Sequence, residues 1–522
     1  MDGILKPQYV PRQFEASRAS LWLNHCQLEH GPTCNDEVAF IDGMRLIDCE
    51  RRLLVDTEPS RTYEWLALSY VWGGPDLSAF PDTPRTITDA IKVTKQLGYR
   101  YLWVDQYCID QGNEESKKDQ LNKMDQIYRG AVLTIVAVMG TSKHYGLPGV
   151  SLKRSCREAN FGIGRSGRSL FFSDSDPEID IRDGSPWYQR AWTYQEGYLS
   201  RRLLVFTDEQ TAFYCNCDSW MESWGGIEHL QHSSHGRRLL PKTPCALFQQ
   251  QLRLPRTMNS YTRISDQFFE FLNLASQYTC RALSFDSDAL NAFAGVMQHL
   301  RRAGQEVKIY DICGLPFLPN IESESDQLCY IFIAISWSNV IKRPRRRSQF
   351  PSWSWAGWAD GVQWAWDSNS LASLETMMRE VVFGLTEGEM QPYRKTSFEQ
   401  LSSVTRLGFQ APVIPASRFS IGESWRPGMD PRRFMRIWGN QAFSDTNHTG
   451  LLESTPKSFL EKLKNGSLTG FLLGSFHDRS YILVIEWQGD GQLATRVGDF
   501  QVFSMKIGDD IKSYEWRSVI MV

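Results

Sequence analysis

The sequence lacks a long hydrophobic run, which argues against a membrane-spanning helix. Its longest apolar segment, residues 131–139, is far shorter than the roughly 20 residues that a bilayer requires. The polar amino terminus lacks the apolar segment of a secretory signal peptide. The 11 cysteines are odd in number and scattered, as in a reduced intracellular protein rather than a disulfide scaffold. We therefore expect a cytoplasmic protein without a membrane span.

A strong charge of either sign is also missing. The formal net charge of -3 over 522 residues argues against bulk electrostatic attraction to nucleic acids or to anionic membranes. The sequence contains no internal repeat, no low-complexity tract, no GxxxxGK(S/T) phosphate loop and no GxSxG nucleophile motif. We therefore expect no nucleic-acid partner.

Aromatic residues, in contrast, are abundant: 18 Trp, 19 Tyr and 28 Phe indicate large buried cores. A chain of this length is typical of two or three domains. Composition and patterning predict four parts, namely an N-terminal extension (1–60), an α/β domain (61–225), a linker and helical region (226–349) and a β-rich C-terminal domain (350–522).

Three short apolar runs alternate with amphipathic helical patterns in the first third of the chain. The runs at residues 65–72, 101–104 and 131–138 are nearly continuous, which is typical of parallel strands covered on both faces. Ligands of such sheets bind beyond the carboxyl ends of the strands. The polar residues that follow the first two runs, Ser69, Tyr70, Asp105 and Asp110, therefore mark a predicted site.

A stretch rich in tryptophan lies at residues 187–196. Ser185 and Pro186 before it are typical of a helix N-cap and first helical position. We predict one helix that carries Gln189, Trp192 and Glu196 on a shared face.

Glu196 has two interpretations at this stage. A carboxylate held beside an indole loses hydration, so its pKa rises and it becomes a candidate for chemistry. Alternatively, Glu196 forms a structural ion pair with Arg190 or Arg201.

The sequence contains one metal-like pattern, Cys26-x3-His30-x3-Cys34. No CxxC partner follows at a familiar spacing, so we expect no metal site. Cys215 and Cys217 form a CxC at a predicted strand end, where packing is the favoured interpretation.

Two further patterns carry little weight. A GxGxxG at residues 162–167 has neither a preceding apolar strand nor a following helix, so a dinucleotide fingerprint is not predicted within the long loop expected at 140–184. His229, His232 and His235 are interpreted as solvated loop residues.

The second half contains one basic cluster and one tryptophan-rich block. The cluster at 342–347 is either a nuclear import signal or anion patch, or a solvated loop. Trp353 and Trp355 are expected to share a strand face and to pack in a core rather than stack on bases.

Together these residues resemble a known family. Leu68-Ser69-Tyr70-Val71-Trp72-Gly73, Leu102-Trp103-Val104-Asp105 with Cys108-Ile109-Asp110-Gln111, and Arg190-Ala191-Trp192-Thr193-Tyr194-Gln195-Glu196 resemble the three signature blocks of the heterokaryon incompatibility (HET) domain of filamentous fungi. Segments near 278–300, 314–316, 351–358 and 472–474 resemble whole-length members. Tyr107 departs from the leucine usual in the family. The resemblance implies non-self recognition and the cell death that follows fusion of incompatible hyphae.

The HET blocks have been likened to the Toll/interleukin-1 receptor (TIR) fold, and the likeness implies a TIR- or flavodoxin-like parallel sheet here. TIR enzymes that cleave NAD use the glutamate that follows a tryptophan at the spacing of Trp192 and Glu196. The likeness thus implies Glu196 as the catalytic residue and NAD as the substrate, with no cofactor and no metal. The implied substrate-binding residues are Ser69, Tyr70, Trp72, Asp105, Asp110, Gln111, Arg190, Trp192, Gln195 and Arg201.

Two other functions remain open. The chain could be a non-enzymatic signalling module that self-associates or binds an incompatibility partner protein, with the remainder of the chain as sensor. A metal- or nucleic-acid-binding regulator has the weakest support. The exposure of Glu196 discriminates the signalling module from an enzyme: an enzyme needs Glu196 accessible in a cleft, and a signalling module has it sealed against Arg190 and Arg201.

Overall fold

The computed structural model describes residues 10–36, 39–74, 82–155, 159–163, 168–172, 181, 184–223, 264–303, 308–319, 321–341, 344–366, 371, 374–386, 388–421, 434–437, 443–445, 456–476, 479–489, 491–503 and 514–522. No helix within these ranges is long and apolar enough to cross a membrane. The predicted loop histidines at 229, 232 and 235 lie outside the described residues.

The described residues form two compact units. Unit 1 consists of residues within Met1–Ser260 and Asn291–His299, and unit 2 of residues within Tyr261–Leu290 and Leu300–Val522. The four-part division expected from the sequence is finer than these two units and stays a prediction.

Unit 1 contains eight described helices of its own and ten described strands. The helices are α1 (Ala16–Glu29), α2 (Gly31–Asn35), α3 (Arg85–Gln96), α4 (Asp105–Cys108), α5 (Glu114–Asn122), α6 (Met124–Gly130), α7 (Pro186–Gln189) and α8 (Trp192–Leu199). The strands are β1 (Arg45–Asp48), β2 (Leu53–Asp56), β3 (Trp65–Ser69), β4 (Tyr101–Trp103), β5 (Leu133–Ala137), β6 (Ala159–Ile163), β7 (Arg168–Phe172), β8 (Arg202–Phe206), β9 (Thr211–Cys215) and β10 (Ser219–Met221).

Eight of these strands form one mixed sheet in the order β10-β9-β8-β5-β3-β4-β1-β2. The four central strands, β8, β5, β3 and β4, are parallel, and antiparallel hairpins extend both edges. In chain order the parallel strands are arranged second, first, third, fourth, which is the flavodoxin-like order. The predicted parallel α/β sheet is therefore confirmed.

The central strands are parallel because their side chains are apolar on both faces. Every residue of β3 and β5 is buried, and helices packed on the sheet leave these strands no solvent-facing side. Parallel pairing aligns Ala67 with both Trp103 and Thr134, so the carboxyl ends of β3, β4 and β5 lie at one edge.

One local expectation is corrected. Residues 159–172 include an antiparallel pair, β6 and β7, where a loop was expected. Gly162 pairs with Ser169 in this hairpin, so the start of the GxGxxG lies on a strand rather than between a strand and a helix.

Unit 2 has a helical part followed by strands. Its helices are α9 (Ile264–Thr279), α10 (Asn291–Ala303, whose residues are divided between the units), α11 (Glu324–Ile335) and α12 (Pro456–Lys464). Its strands are β11 (Tyr310–Ile312), β12 (Leu315–Phe317), β13 (Trp337–Asn339), β14 (Val362–Trp364), β15 (Leu374–Thr376), β16 (Arg379–Leu385), β17 (Met390–Pro392), β18 (Val404–Ile414), β19 (Phe419–Ile421), β20 (Phe434–Ile437), β21 (Phe443–Asp445), β22 (Leu468–Phe476), β23 (Arg479–Gln488), β24 (Leu493–Phe503) and β25 (Trp516–Met521).

The main sheet of unit 2 has the order β15-β22-β23-β24-β25-β18-β16-β17, and an additional β18–β22 pairing closes five of the strands into a ring. Arg496 is almost fully buried in this unit. Its guanidinium donates to the Ile335 carbonyl (2.7 Å) and to the Tyr481 hydroxyl (2.9 Å) and lies over the Trp337 ring. The helical middle and the β-rich C-terminal part agree with the predicted fold class.

The tryptophan-rich block packs in a core, as expected, but not on a strand. Trp353 and Trp355 are buried, and Trp355 begins a short 3-10 turn. In the described part of the basic cluster, exposed Arg345 pairs with Asp286, and the nuclear signal, the anion patch and the solvated loop stay predictions. Arg347 is buried and pairs with Asp286, and Arg346 donates to backbone carbonyls of the same unit.

Candidate active site

The carboxyl ends of the central strands of unit 1 bring several polar side chains together. Ser69 is the last residue of β3, and Asp105 begins α4 two residues beyond the end of β4. Glu196 reaches the same edge from α8. We call Ser69, Asp105 and Glu196 the strand-end site.

Glu196 is held by a chain of hydrogen bonds in the interior. The Ser69 hydroxyl donates to Glu196 Oε2 and in turn accepts a hydrogen bond from Trp187 Nε1 at 2.6 Å. Glu196 is only 5% exposed, and Ser69 and Trp187 are fully buried. The position of the carboxyl is therefore fixed by its neighbours.

Two short helices, rather than the single predicted helix, place these groups. Ser185 caps α7 as expected, because its hydroxyl accepts from the Tyr188 N–H. Helix α7 then ends at Gln189, and Arg190 is extended, with φ −84° and ψ 138°. Gln189 consequently does not share a helix with Glu196, and the indole joined to Glu196 through Ser69 belongs to Trp187 instead of Trp192.

The side chain of Thr193 accounts for this break. Its hydroxyl is shared between the carbonyls of Trp187 and Arg190, the second at 2.8 Å. A threonine that bonds nearby carbonyls offers the backbone an alternative to continuous helix. Trp192 opens the new helix and is half-buried.

The pKa of Glu196 is raised from 4.5 to about 8. Burial is the largest cause, and the negative charge of Asp105 adds to it. Hydrogen bonds from Ser69 and Tyr128 and the positive charge of Arg190 act in the opposite direction. The folded environment therefore disfavours ionisation of this carboxyl.

Asp105 is a second carboxyl with an altered pKa. Loss of hydration raises the pKa of Asp105 to about 6. Its side chain accepts hydrogen bonds from the Gln106 N–H at 2.7 Å and from Trp72 Nε1 at 2.8 Å. Because Asp105 and Glu196 each raise the cost of ionising the other, they titrate as a pair.

Two tyrosines border the strand-end site. The Tyr70 hydroxyl donates to Gln106 Oε1 at 3.0 Å, and the Tyr128 hydroxyl donates to the Leu68 carbonyl at 3.3 Å. Burial raises the pKa of Tyr70 and of Tyr128 well above the ordinary value, so both remain neutral donors.

The structure places two predicted substrate contacts elsewhere. Gln195 is fully buried, and its Oε1 accepts the Gly295 N–H at 3.0 Å. Arg201 donates to Asp36 and to the carbonyls of Gly130 and Ala131, which precede β5. That position is at the amino end of the strand, so Arg201 belongs to the opposite edge of the sheet.

Asp110 and Gln111 lie beyond α4 and are exposed. Asp110 Oδ1 accepts the Gly112 N–H at 3.0 Å, which shapes a turn, and Gln111 Nε2 donates to the Asp105 carbonyl at 3.3 Å. Their contact with a substrate stays a prediction.

Trp187 and Tyr128 are the residues that sequence reasoning missed. Trp187 lies in the recognised tryptophan-rich block, but no spacing rule connected it with Ser69. Tyr128 lies in one of the amphipathic helical patterns, and no sequence motif marked it as a site residue.

A separate group of side chains in unit 1 could hold a metal ion. Cys26, His30, Cys34 and Cys215 have ligand atoms within 4.8 Å of one another. The familiar spacings offered no fourth residue, but folding brings in Cys215, 185 residues beyond His30. The expectation of no metal site stays a prediction.

Comparison with known proteins agrees with the sequence resemblance. A family model described as "Heterokaryon incompatibility protein (HET)" matches residues 65–196, from the start of β3 to Glu196. Comparisons with curated proteins and with solved structures give no significant match. Residues 65–196, which supply the whole strand-end site, are thus a heterokaryon incompatibility (HET) domain.

Proposed function

We propose that this chain acts in heterokaryon incompatibility by cleaving the bond between nicotinamide and ribose in NAD, with Glu196 as the catalytic carboxylate. The HET domain itself implies a role in non-self recognition. The NAD reaction goes further and rests on the site.

The observation that carries the proposal is the environment of Glu196. Its carboxyl lies at the carboxyl-end edge of a parallel sheet, where ligands of such sheets bind, and its pKa of about 8 is far from the ordinary value. Strongly altered carboxyl groups at such an edge are typical of catalytic sites. A second carboxyl, Asp105, with a pKa of about 6, supplies further negative potential.

The proposed reaction breaks one bond and forms one. The C–N bond of the pyridinium glycoside breaks, and its electron pair goes to the nicotinamide nitrogen, which leaves as a neutral molecule. The remaining ribosyl group is an oxocarbenium cation, and ionised Glu196 stabilises its developing charge. Water then adds to the sugar carbon and releases a proton, which yields ADP-ribose.

The raised pKa of Glu196 is compatible with this role because the substrate is a cation at its reacting end. A positive charge beside a carboxyl favours the ionised form and lowers its pKa. The free-energy cost of ionising a buried carboxyl is then offset when the pyridinium ring, or the oxocarbenium ion that follows, lies next to Glu196. A neutral ligand receives no such benefit.

Other residues of the site have supporting roles in the proposal. Arg190 is partly exposed, and its charge reaches both carboxyls, so it is placed to bind the diphosphate of NAD. Trp72 and Trp192 are half-buried aromatic surfaces for the substrate rings. Ser69 positions the carboxyl of Glu196 through its hydrogen bond, and Tyr70 lies beside Asp105.

The burial of Glu196 favours a second candidate function. A carboxyl that is 5% exposed and hydrogen-bonded to Ser69 is also what a purely structural residue looks like. In that case the HET domain is a signalling module that self-associates or binds an incompatibility partner, and the strand-end site maintains its fold.

The test compares NAD loss and nicotinamide release by the purified full chain and by Glu196→Gln. Glutamine keeps the size of the side chain and an oxygen that can accept from Ser69, but it cannot ionise. We expect a loss of at least about 100-fold, as for other groups that stabilise transition-state charge. The matched control is Glu64→Gln, an exposed glutamate directly before β3, which should retain full activity.

Each result separates the two candidates. Nicotinamide release that disappears only in Glu196→Gln supports the enzyme. Equal release by both variants excludes Glu196 as the catalytic residue. If the folded wild-type chain releases no nicotinamide at any concentration tested, the signalling module is the remaining function.

A further inference from the structure

The first two helices of unit 1 meet the β9–β10 hairpin around four sulfur and nitrogen atoms. Cys26 lies in the last turn of α1, His30 follows that helix, and Cys34 lies in α2. Cys215 is the last residue of β9. We call these four residues the thiol–imidazole cluster.

Two distances within the cluster match those of a tetrahedral metal site. His30 Nδ1 lies 3.4 Å from Cys215 Sγ and 3.9 Å from Cys34 Sγ. In a regular zinc tetrahedron, a sulfur and a nitrogen ligand are about 3.6 Å apart. Cys26, Cys34 and Cys215 are completely buried, so the atoms that face the centre are screened from water.

A hydrogen bond to Asp218 orients the His30 ring for metal binding. His30 Nε2 lies 3.0 Å from Asp218 Oδ2, so the carboxylate holds the ring proton on Nε2 and leaves the lone pair of Nδ1 directed at the thiols. This carboxylate–histidine arrangement is the usual outer shell of a zinc-bound imidazole.

The sulfur atoms also have donors that favour thiolates. The Asp218 N–H donates to Cys215 Sγ at 3.2 Å, and Arg202 Nε donates to Cys26 Sγ at 3.1 Å. Metal binding requires the thiolate form, and N–H donors stabilise the negative charge on sulfur. A cluster that only filled space would not need these two contacts.

We propose that Cys26, His30, Cys34 and Cys215 bind a structural zinc ion. Three thiolates and one imidazole in tetrahedral arrangement form a ligand set that zinc prefers over hard cations. Four protein ligands leave no open position for a substrate, so the ion stabilises the fold and does not take part in the reaction. The ion ties α1 and α2 to the edge of the sheet.

This site is independent of the proposed NAD reaction. All four ligands lie outside residues 65–196 and on different elements from the strand-end site. Cys217 is a fourth cysteine nearby, because its Sγ lies 3.8 Å from Cys34 Sγ. A Cys34–Cys217 disulfide is the competing chemistry that the experiment must distinguish.

The experiment measures metal in the full chain after purification without chelators or metal-affinity resin, by inductively coupled plasma mass spectrometry. We expect about one zinc ion per chain, as for a four-ligand structural site. Cys34→Ser and Cys215→Ser should each lose most of this zinc. Cys49→Ser removes an equally buried thiol of unit 1 outside the cluster and should retain it.

A milder variant covers the case in which the cysteine variants fail to fold. Asp218→Asn keeps all four ligands and removes only the carboxylate charge next to His30. Loss of such an outer-shell partner lowers metal affinity by about 10- to 100-fold. Competition with a chromophoric zinc chelator measures this change in the folded protein.

Three results would overturn the proposal. The first is a folded wild-type chain that takes up no zinc when zinc is supplied. The second is wild-type zinc content in both Cys34→Ser and Cys215→Ser, which would mean that the ion is bound elsewhere. The third is a disulfide that includes Cys34 or Cys215 in the native chain, detected by mass spectrometry of the unreduced protein.

Discussion

Ionisation is more unfavourable at Glu196 than at its neighbour Asp105. The ordinary pKa of 4.5 of Glu196 rises to about 8 because the interior cannot hydrate the charge and because Asp105 lies nearby. The hydrogen bonds from Ser69 and Tyr128 recover only part of this cost. The folded state therefore prefers the protonated form, and this preference connects the stability of unit 1 to pH.

The free energy of unfolding should therefore depend on pH through the ionisation of Glu196. Between pH 4.5 and about 8 the unfolded chain ionises Glu196 while the folded chain keeps it protonated, so folding takes up a proton. The contribution of Glu196 to the free energy of unfolding therefore falls as the pH rises through this window, by roughly 1 kcal/mol per pH unit. Glu196→Gln cannot ionise and lacks this loss. Urea denaturation of both proteins from pH 5 to pH 8 should show the wild type weakening relative to the variant.

The exposed Glu64 provides the control for this prediction. Glu64→Gln removes a carboxyl that water hydrates in both states, so its stability should follow the wild type at every pH. If the difference between wild type and Glu196→Gln stays constant from pH 5 to pH 8, Glu196 is already ionised in the folded protein.

At the residue scale, the sequence revealed the polar groups but not their partners. Ser69 and Asp105 were found because they follow apolar runs, and Glu196 because of its spacing from Trp192. The hydrogen bond from Trp187 to Ser69 joins residues 118 positions apart, and no local pattern encodes it. The burial of Gln195 against Gly295 was hidden for the same reason.

At the element scale, the cap of α7 connects strand β5 to the strand-end site. The Ser185 hydroxyl accepts from the Tyr188 N–H at 3.0 Å and donates to the Val138 carbonyl at 2.9 Å. Ser185 is fully buried, so neither group has water as a substitute partner. This one hydroxyl fixes the start of the helix that carries Trp187.

We therefore predict that Ser185→Ala loosens α7 and α8. Loss of a helix cap typically costs about 1 kcal/mol, and loss of the buried hydrogen bond to the Val138 carbonyl, which keeps only the longer bond from the Trp187 N–H, adds about 1 kcal/mol. The sum of about 2 kcal/mol corresponds to about 30-fold faster local hydrogen exchange. Hydrogen exchange followed by mass spectrometry on peptides from residues 184–199 measures this rate.

The matched control is the same substitution at an exposed cap. Ser323 caps α11 of unit 2, where its hydroxyl accepts the Asp326 N–H at 3.3 Å and water can replace it. Ser323→Ala should accelerate exchange in α11 by less than about 10-fold, because only the cap energy is lost. Equal effects in the two helices would show that the bond to Val138 contributes nothing.

The sequence predicted regular elements well where hydrophobicity decides them. The strands β3, β4 and β5 are nearly continuous apolar runs, and a short run of this kind is typical of a strand that is buried on both faces. The break between α7 and α8 was not predicted, since no proline or glycine marks it and the cause is the hydroxyl of Thr193. The hairpin of β6 and β7 was missed because its two five-residue strands lie in a segment rich in glycine and charged residues, which is typical of a loop.

At the scale of the whole molecule, the chain joins an α/β unit with a flavodoxin-like parallel core to a unit dominated by antiparallel strands. Hydrophobic patterning along the sequence predicted this order of fold classes. It did not predict that the N-terminal helices complete a thiol–imidazole cluster with β9. That cluster joins residues far apart in the chain, and its spacing matches none of the short metal motifs.

The burial of Glu196 restricts the access of a substrate to its carboxyl. The reacting atoms of a near-attack arrangement are about 3–3.5 Å apart, and a carboxyl that is 5% exposed in the single chain does not admit a ribose to that distance. If the NAD proposal is correct, the strand-end site must open. Self-association that involves only the open state would shift the population toward it. NAD cleavage per chain should then rise with protein concentration instead of staying constant.

A mixing experiment tests this coupling without changing the number of active sites. Wild-type chain is held at a low concentration, and increasing amounts of Glu196→Gln are added, which can assemble but cannot catalyse. Nicotinamide release per wild-type chain should increase several-fold as mixed assemblies form, whereas an equal mass of serum albumin should have no effect. Constant release per chain across the titration would mean that a single chain opens the site by itself, and self-association would then lose its proposed part in activation while Glu196 kept its own.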